Sequence, residues 1–277
     1  MTLVAHRSYK LSDRDMDFLV ETASPQVSDK VRLKQILIED EDFRDTFVCD
    51  DAVFNRVVND EEIFLKISPV LFFEILLRRA AKELKQASFT VERAGSGMKV
   101  PVFDTQEVVD FLSKRDLILY LAEMLASFIK VRSYALSFRA REGVWRKIQF
   151  NDLDLQTLMN FSEAVDENLR FGFYKRIADI CLFVLGMFSE YVEREYRYPF
   201  SGEVRPTIGL RARISPEDYE KEGRKFYRLA AEHESAKSLD LSEVFWALHG
   251  SFHVATKPLK FISERYLHYK KKEIFPS

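Results

Sequence analysis

The feature that most constrains the fold is a run of nine residues with no polar side chain, residues 180–188. The run lies inside a longer segment, residues 173–197, whose pattern predicts a helix. A helix formed by this run is apolar on every side, so neighbouring elements must surround it. The sequence therefore predicts a central buried helix against which the rest of the chain packs.

The composition supplies enough apolar surface for a core of this kind. Hydrophobic residues make up 47% of the 277-residue chain, which has 24 Phe, 11 Tyr and 2 Trp. Each buried aromatic side chain removes about 150–250 Å² from water. A chain of this length forms one large domain or two small ones.

Helix-start signals divide much of the remaining chain. Ser12 is a predicted N-cap, and Ser68 followed by Pro69 is the clearest helix start in the sequence. Asn151 or Asp152 is expected to cap a later helix. The predicted longer helices cover residues 12–22, 69–86, 113–134, 151–165, 166–197, 215–234 and 240–272.

Charge and proline positions refine two of these helices. In the helix over residues 69–86, Glu74–Arg78 and Arg79–Glu83 have the i,i+4 spacing of ion pairs and are expected on its exposed side. In the last helix, Pro258 is expected to produce a kink or a division.

Two segments have strand character instead. Residues 88–106 alternate apolar and polar positions around a glycine-containing turn, which predicts a β-hairpin, and Pro101 favours an edge position for its second strand. Residues 137–150 are a second hairpin candidate. The predicted fold class is all-α, a multi-helix bundle of about ten helices with one or two small hairpins. Residues 1–150 would form an N-terminal helical subdomain and residues 151–277 a C-terminal helical bundle, or both would belong to one continuous domain.

The charge distribution is uneven although the net charge is only −2. Residues 39–62 contain ten acids and two bases, a local charge of −8, and residues 128–148 contain six bases and one acid, a local charge of +5. The low net charge gives no general attraction to nucleic acid or anionic membranes. Both blocks are typical of solvated faces; alternatively, they are patches that bind a partner or meet across subunits.

Cysteine content and hydropathy bear on the compartment. Cys49 and Cys181 are far apart in sequence, and two reduced thiols of a cytosolic protein are expected rather than a disulfide. The first residues lack the apolar segment of a signal peptide, and no apolar run reaches the roughly 20 residues of a membrane span. The expectation is a soluble cytoplasmic protein without a membrane partner.

Asp179 is the first candidate for a binding or catalytic role. Helical spacing places it on one stripe with Lys175 and Arg176, one turn before the apolar run. A carboxylate in this position is partly buried and needs a partner, which either basic residue can supply. The group is predicted to be a buried ion pair or, alternatively, a pocket carboxylate with Lys175 and Arg176 as cofactor-binding residues.

A second candidate site contains histidines. His249 and His253 have the i,i+4 spacing that lets two imidazoles on one helix face chelate a metal ion. His233 would complete the site if two C-terminal helices pack antiparallel. Two ligands are too few to complete the coordination of a metal ion. The alternative interpretation is that both residues are ordinary helix histidines without a metal.

A third candidate is the basic stretch over residues 130–147. Its bases alternate with Tyr134, Phe138 and Trp145, a combination that can bind phosphates and stack on bases. The aromatic residues fit a core position equally well. The bases of this possible nucleic-acid surface are Lys130, Arg132, Arg139, Arg141, Arg146 and Lys147.

Three segments resemble a family of uncharacterised bacterial helical proteins: residues 177–188, Asp218 and Tyr219 with Gly223, and residues 226–230. The resemblance covers roughly residues 170–235, and most of the matching positions are apolar. It implies an all-helical core and no particular activity or cofactor.

Three functions remain open from the sequence. A non-catalytic interaction, scaffold or regulatory protein, binding a protein partner or forming a homo-oligomer, comes first because no serine lies in a nucleophile elbow and neither cysteine has an electropositive setting. A metal- or ligand-binding protein, either a binding protein or an enzyme, comes second through His249, His253 and Asp179. A nucleic-acid-binding protein comes third through the basic stretch.

Overall fold

The computed structural model describes residues 10–275 except 88, 94–98, 103, 130–132, 142–143, 152, 191 and 193–213. For residues 91–93, 99, 133–141, 144–151 and 272 it describes the backbone only. The all-α class is confirmed, since helices predominate and the strands form two separate hairpins. None of the described helices combines the length and the apolar character that a bilayer span requires.

The helices are more numerous than the ten or so predicted, because several predicted segments are divided. The first ten are α1 (Asp13–Ala23), α2 (Lys30–Glu39), α3 (Glu41–Val48), α4 (Asp51–Asn59), α5 (Ile63–Lys66), α6 (Pro69–Gln86), α7 (Thr105–Leu112), α8 (Arg115–Ser127), α9 (Leu155–Ala164) and α10 (Glu167–Met187). They are followed by α11 (Pro216–Glu232), α12 (Glu234–Ser238), α13 (Ser242–Gly250), α14 (Phe252–Arg265) and α15 (Lys271–Ile274).

Both predicted hairpins are present. Strands β1 (Thr90–Arg93) and β2 (Lys99–Val102) pair antiparallel, with Thr90 opposite Val102. Strands β3 (Ser133–Arg141) and β4 (Val144–Asn151) pair antiparallel from Ser133 opposite Asn151 to Arg141 opposite Val144, with an irregularity after Arg139. The second hairpin is therefore longer than the sequence pattern suggested.

The contacts divide the chain into two compact units. The first unit contains the described residues 10–126 and 257–268, and the second contains residues 127–256 and 269–275. The expected division came after residue 150. The structure instead groups the β3–β4 hairpin with the C-terminal helices and groups residues 257–268 with the N-terminal ones, because the chain returns to the first unit within α14.

The first unit is organised around α6, which begins and ends where the sequence predicted. Ser68 caps it, and its inward side chains are almost fully buried. Asp15 links its start to α1: one carboxylate oxygen accepts the Ser68 backbone N–H at 2.6 Å, and the other accepts the Ser12 backbone N–H at 3.1 Å. Because Asp15 is fully buried, these hydrogen bonds replace the water that it lost on folding.

The second unit is organised around α10, and the prediction of a helix buried on all sides is confirmed. From Ile177 to Met187 every residue of α10 is buried. Helices α9 and α11 pack against it, and the Phe183 ring stacks on the Phe128 ring with 4.0 Å between centroids. Both cysteines are free thiols, and burial raises the pKa of Cys181 on this helix.

Three boundary predictions were wrong. The helix expected to reach Tyr134 ends at Ser127, because the following residues pair with β4. Asp154, not Asn151 or Asp152, caps α9 by accepting the Thr157 N–H. Pro258 lies inside α14, so the helix is not divided there but earlier, at Ser251; the alternative, a kink at Pro258, stays a prediction.

Gly223 marks the closest approach of α11 to its neighbours in the second unit. A Cβ atom added there would overlap the ring of Phe252 and would lie 3.0 Å from the Cβ of Cys181. Phe252 is 1% exposed and Cys181 is fully buried, so neither can move aside freely. The missing side chain of Gly223 therefore allows α11 to pack directly on α10 and on Phe252.

We expect Gly223→Ala to lower the free energy of unfolding by about 1–3 kcal/mol, because the added methyl overpacks this contact. Gly250→Ala is the matched control, since a Cβ there has no neighbour within 4 Å. The control should be neutral or stabilising by up to about 1 kcal/mol, because alanine favours a helix more than glycine does. Urea unfolding of both variants measures the difference, and equal effects would contradict the assigned contact.

Candidate functional site

Asp179 is held by two donors inside the second unit. Lys175 Nζ lies 2.7 Å from Asp179 Oδ2, and the Tyr227 hydroxyl donates to Asp179 Oδ1 at 2.9 Å. Asp179 is 1% exposed and Tyr227 is fully buried, whereas the side chain of Lys175 remains 31% exposed. A carboxylate that acts on a substrate must present an oxygen to it, and this one is directed into the protein. The geometry therefore favours a structural ion pair.

Sequence reasoning missed Tyr227 as a partner of Asp179. The signal was present, because a buried tyrosine needs an acceptor for its hydroxyl and Asp179 was the predicted buried acceptor. Only the packing of α11 on α10 shows that the two residues meet, since they are 48 positions apart.

Arg176, the third predicted member of this site, makes a different contact. Its Nη1 donates to Ser127 Oγ at 2.9 Å, and its guanidinium carbon lies 4.0 Å from the centroid of the Phe128 ring. Arg176 is 8% exposed, so its contact with the Phe128 ring is largely removed from water. The two contacts hold Ser127 and Phe128 against α10.

The three predicted metal ligands lie on separate elements. His249 is near the end of α13 and His253 is in α14, so the expected single helix face does not exist. His249 Nδ1 is 2.8 Å from the Arg224 carbonyl oxygen, and His253 Nδ1 is 3.7 Å from Glu220 Oε2. Each imidazole therefore contacts α11 individually.

His233 has a capping role between α11 and α12. Its Nδ1 accepts the Ser235 backbone N–H at 3.1 Å, and its Nε2 lies 2.9 Å from the Glu167 carbonyl oxygen. Among the residues with described side chains, no three His, Cys, Asp or Glu residues are grouped so that they could hold a metal ion. The metal site of His233, His249 and His253 stays a prediction that these positions do not support.

The basic stretch coincides with the second hairpin. Lys130 and Arg132 lie outside the described residues, and the other four bases belong to β3 and β4, where only the backbone is described. The register pairs Arg139 with Trp145 and Phe138 with Arg146. A nucleic-acid surface on this hairpin stays a prediction.

The acidic block and the helix α6 are joined by ion pairs within the first unit. Glu74, expected on the exposed side of α6, is fully buried between Arg44 and Arg78, with N···O distances of 2.5 and 2.9 Å. The predicted ion pair between Glu74 and Arg78 is present, but its predicted position on the exposed side of α6 was wrong. The reason is that α3 packs over this side of α6 and supplies Arg44.

Acids of the block itself join the same network or form similar pairs. Asp45 accepts from Arg78 at 2.7 Å and from Arg115 at 2.6 Å, which connects α3 to α6 and α8. Asp51 lies 2.7 Å from Lys82, and this contact lowers the pKa of Asp51. These acids stabilise the first unit and are not a free anionic patch.

Helix α2 carries two strongly exposed aliphatic residues. Val31 is 81% exposed and Ile38 is 58% exposed, and of the whole helix only Leu37 is buried. Val31, Gln35 and Ile38 are spaced by four and three positions, so they share one side of the helix. We call this side the α2 face.

Buried Leu37 fixes α2 on the first unit, and surface ion pairs to α1 add to this contact. Lys34 contacts Asp17, and Lys30 Nζ lies 3.7 Å from Glu21. Asp29 caps the helix by accepting the Arg32 N–H at 2.9 Å. The exposed valine and isoleucine thus belong to a capped, anchored helix.

Comparisons with protein-family models, with curated proteins and with solved structures found no match to this chain. The resemblance to a family of bacterial helical proteins over residues 170–235 therefore stays a prediction.

Removing the Asp179–Tyr227 hydrogen bond is expected to destabilise the second unit. Tyr227→Phe and Asp179→Asn should each lower the free energy of unfolding by about 1.5–3 kcal/mol, because the bond joins a hydroxyl to a buried charged group. A double-mutant cycle should give a coupling of about 0.5–3 kcal/mol. Tyr269→Phe is the control, since this tyrosine is 91% exposed. A coupling of zero in urea unfolding would show that the two side chains are independent.

Proposed function

We propose that this protein is a non-catalytic interaction protein that binds another protein chain through the α2 face. The observation that carries the proposal is the exposure of Val31 and Ile38 on one side of an anchored helix. Full burial of an aliphatic side chain of this size contributes about 1.5–3 kcal/mol. Apolar side chains aligned at helical spacing are the anchors by which a helix face docks on a partner.

The surroundings of the α2 face suit a reversible interface. Arg32 and Glu39 are exposed beside the two aliphatic residues and Gln35 is exposed between them, so polar groups adjoin each apolar side chain. Protein interfaces commonly combine a desolvated apolar centre with a polar rim. Polar neighbours also keep the free protein soluble while the site is unoccupied.

The proposal is tested by the double variant Val31→Glu with Ile38→Glu. Charges at both anchors should abolish docking and leave stability within about 0.5 kcal/mol of the wild type, since both positions are on the surface. The matched control is Leu169→Glu with Tyr269→Glu, which also changes two exposed apolar residues but leaves α2 intact.

The measurement is amine cross-linking of the full chain in an extract of the cells that produce it, followed by peptide mass spectrometry. Lys30 and Lys34 lie on α2, so a bound chain should give cross-links to the α2 peptides. These cross-links should persist in the control and disappear in the double variant. Identical cross-links in all three proteins would refute a role for the α2 face.

A further inference from the structure

The charges along α2 change sign from one end of the helix to the other. Lys30, Arg32 and Lys34 lie in its first half, while Glu39 ends it and Asp40 follows directly. Glu41 and Asp42 at the start of α3 pair with Arg115 of the same chain, and the two lysines pair with α1. Arg32 and Glu39 are therefore the exposed opposite charges that α2 offers to a partner. A helix with a basic start and an acidic end is complementary to an antiparallel copy of itself.

We propose that the partner of the α2 face is a second copy of this chain, docked so that the two α2 helices lie antiparallel about a two-fold axis. This inference rests on the proposed function and names its partner. Two-fold dimers are the commonest homo-oligomers. Their interface is isologous, so each contact between two residues is made twice.

The positions of the exposed residues fit such an axis. Val31 and Ile38 are seven residues apart, about 10.5 Å along the helix at about 1.5 Å per residue. With the axis passing near Gln35, midway between them, Val31 of each copy meets Ile38 of the second copy. The same contact between Val31 and Ile38 is therefore made at both ends of the α2 face.

The same axis pairs opposite charges. Arg32 and Glu39 each follow an anchor residue by one position, so both lie on the same flank of the α2 face. An antiparallel copy places Arg32 of one chain beside Glu39 of the other, once on each side of the axis. In the single chain, Glu39 accepts a hydrogen bond from Gln35 at 2.7 Å and is exposed for a second contact.

The contact between the two α2 helices is small, so we expect a weak dimer. Two ten-residue helix faces bury less than the roughly 1,200–2,000 Å² of a stable protein interface. The dimer is therefore reversible, and it depends on protein concentration. Its exposed charge pairs are screened by salt, so dissociation should increase between about 0.05 and 0.5 M salt.

Charge exchange tests the register in the full chain. Arg32→Glu alone and Glu39→Arg alone each place two like-charged pairs across the axis, so each should raise the dimer dissociation constant by about tenfold. The double variant Arg32→Glu with Glu39→Arg restores opposite charges and should return the constant to near the wild-type value. Lys85→Glu, at an exposed position on α6, is the control for the change in net charge and should have no effect.

Sedimentation equilibrium over a range of concentrations gives these constants. A wild-type chain that stays monomeric, or single variants that weaken the dimer without recovery in the double variant, would overturn the antiparallel pairing. If the monomeric chain still gives α2 cross-links to a different protein, the second copy is refuted and the proposed function stands. A dimer unaffected by Val31→Glu with Ile38→Glu would refute α2 as its interface.

Discussion

Covering the apolar segment of α10 is the constraint that organises the second unit. A helix buried on all sides cannot rely on one amphipathic face, so its neighbours must approach closely all round. Gly223 permits this approach on the side of α11, and Phe128 covers another side by stacking on Phe183. Polar groups inside this packing need internal partners, which explains why the Lys175 ammonium and the Tyr227 hydroxyl both contact Asp179.

In the first unit, ion pairs add to the apolar packing around α6. Its acidic block looks like a patch in the sequence, but Arg78 and Arg115 join Asp45 of this block to α6 and α8, and Arg44 of α3 pairs with Glu74 of α6. Removing one member of such a buried network leaves another charge unpaired, so the network specifies how α3 packs on α6. The α2 face differs, because its aliphatic residues point outward from a helix that is already capped and anchored. This contrast is the reason for placing the interaction site on α2.

The candidate site was predictable only in part. The sequence identified Asp179 as a partly buried carboxylate with Lys175 or Arg176 as its partner, because the three lie on one helix and helical spacing is regular; the structure shows Lys175. It did not identify Tyr227, and it placed His249 and His253 on one helix that the structure divides at Ser251. The exposure of Val31 and Ile38 is not evident from the sequence either, since an apolar residue at helical spacing is expected to face the core.

By itself, the sequence determined the local features: the helical class, the bounds of α6, both hairpins and the burial of α10. These follow from capping residues, periodicity and apolar runs, which act over a few positions of the chain. Only the tertiary structure decided the grouping into two units, the burial of Glu74 and the openness of the α2 face. Each of these depends on which distant segment covers a given side of a helix, and local spacing carries no information about that choice.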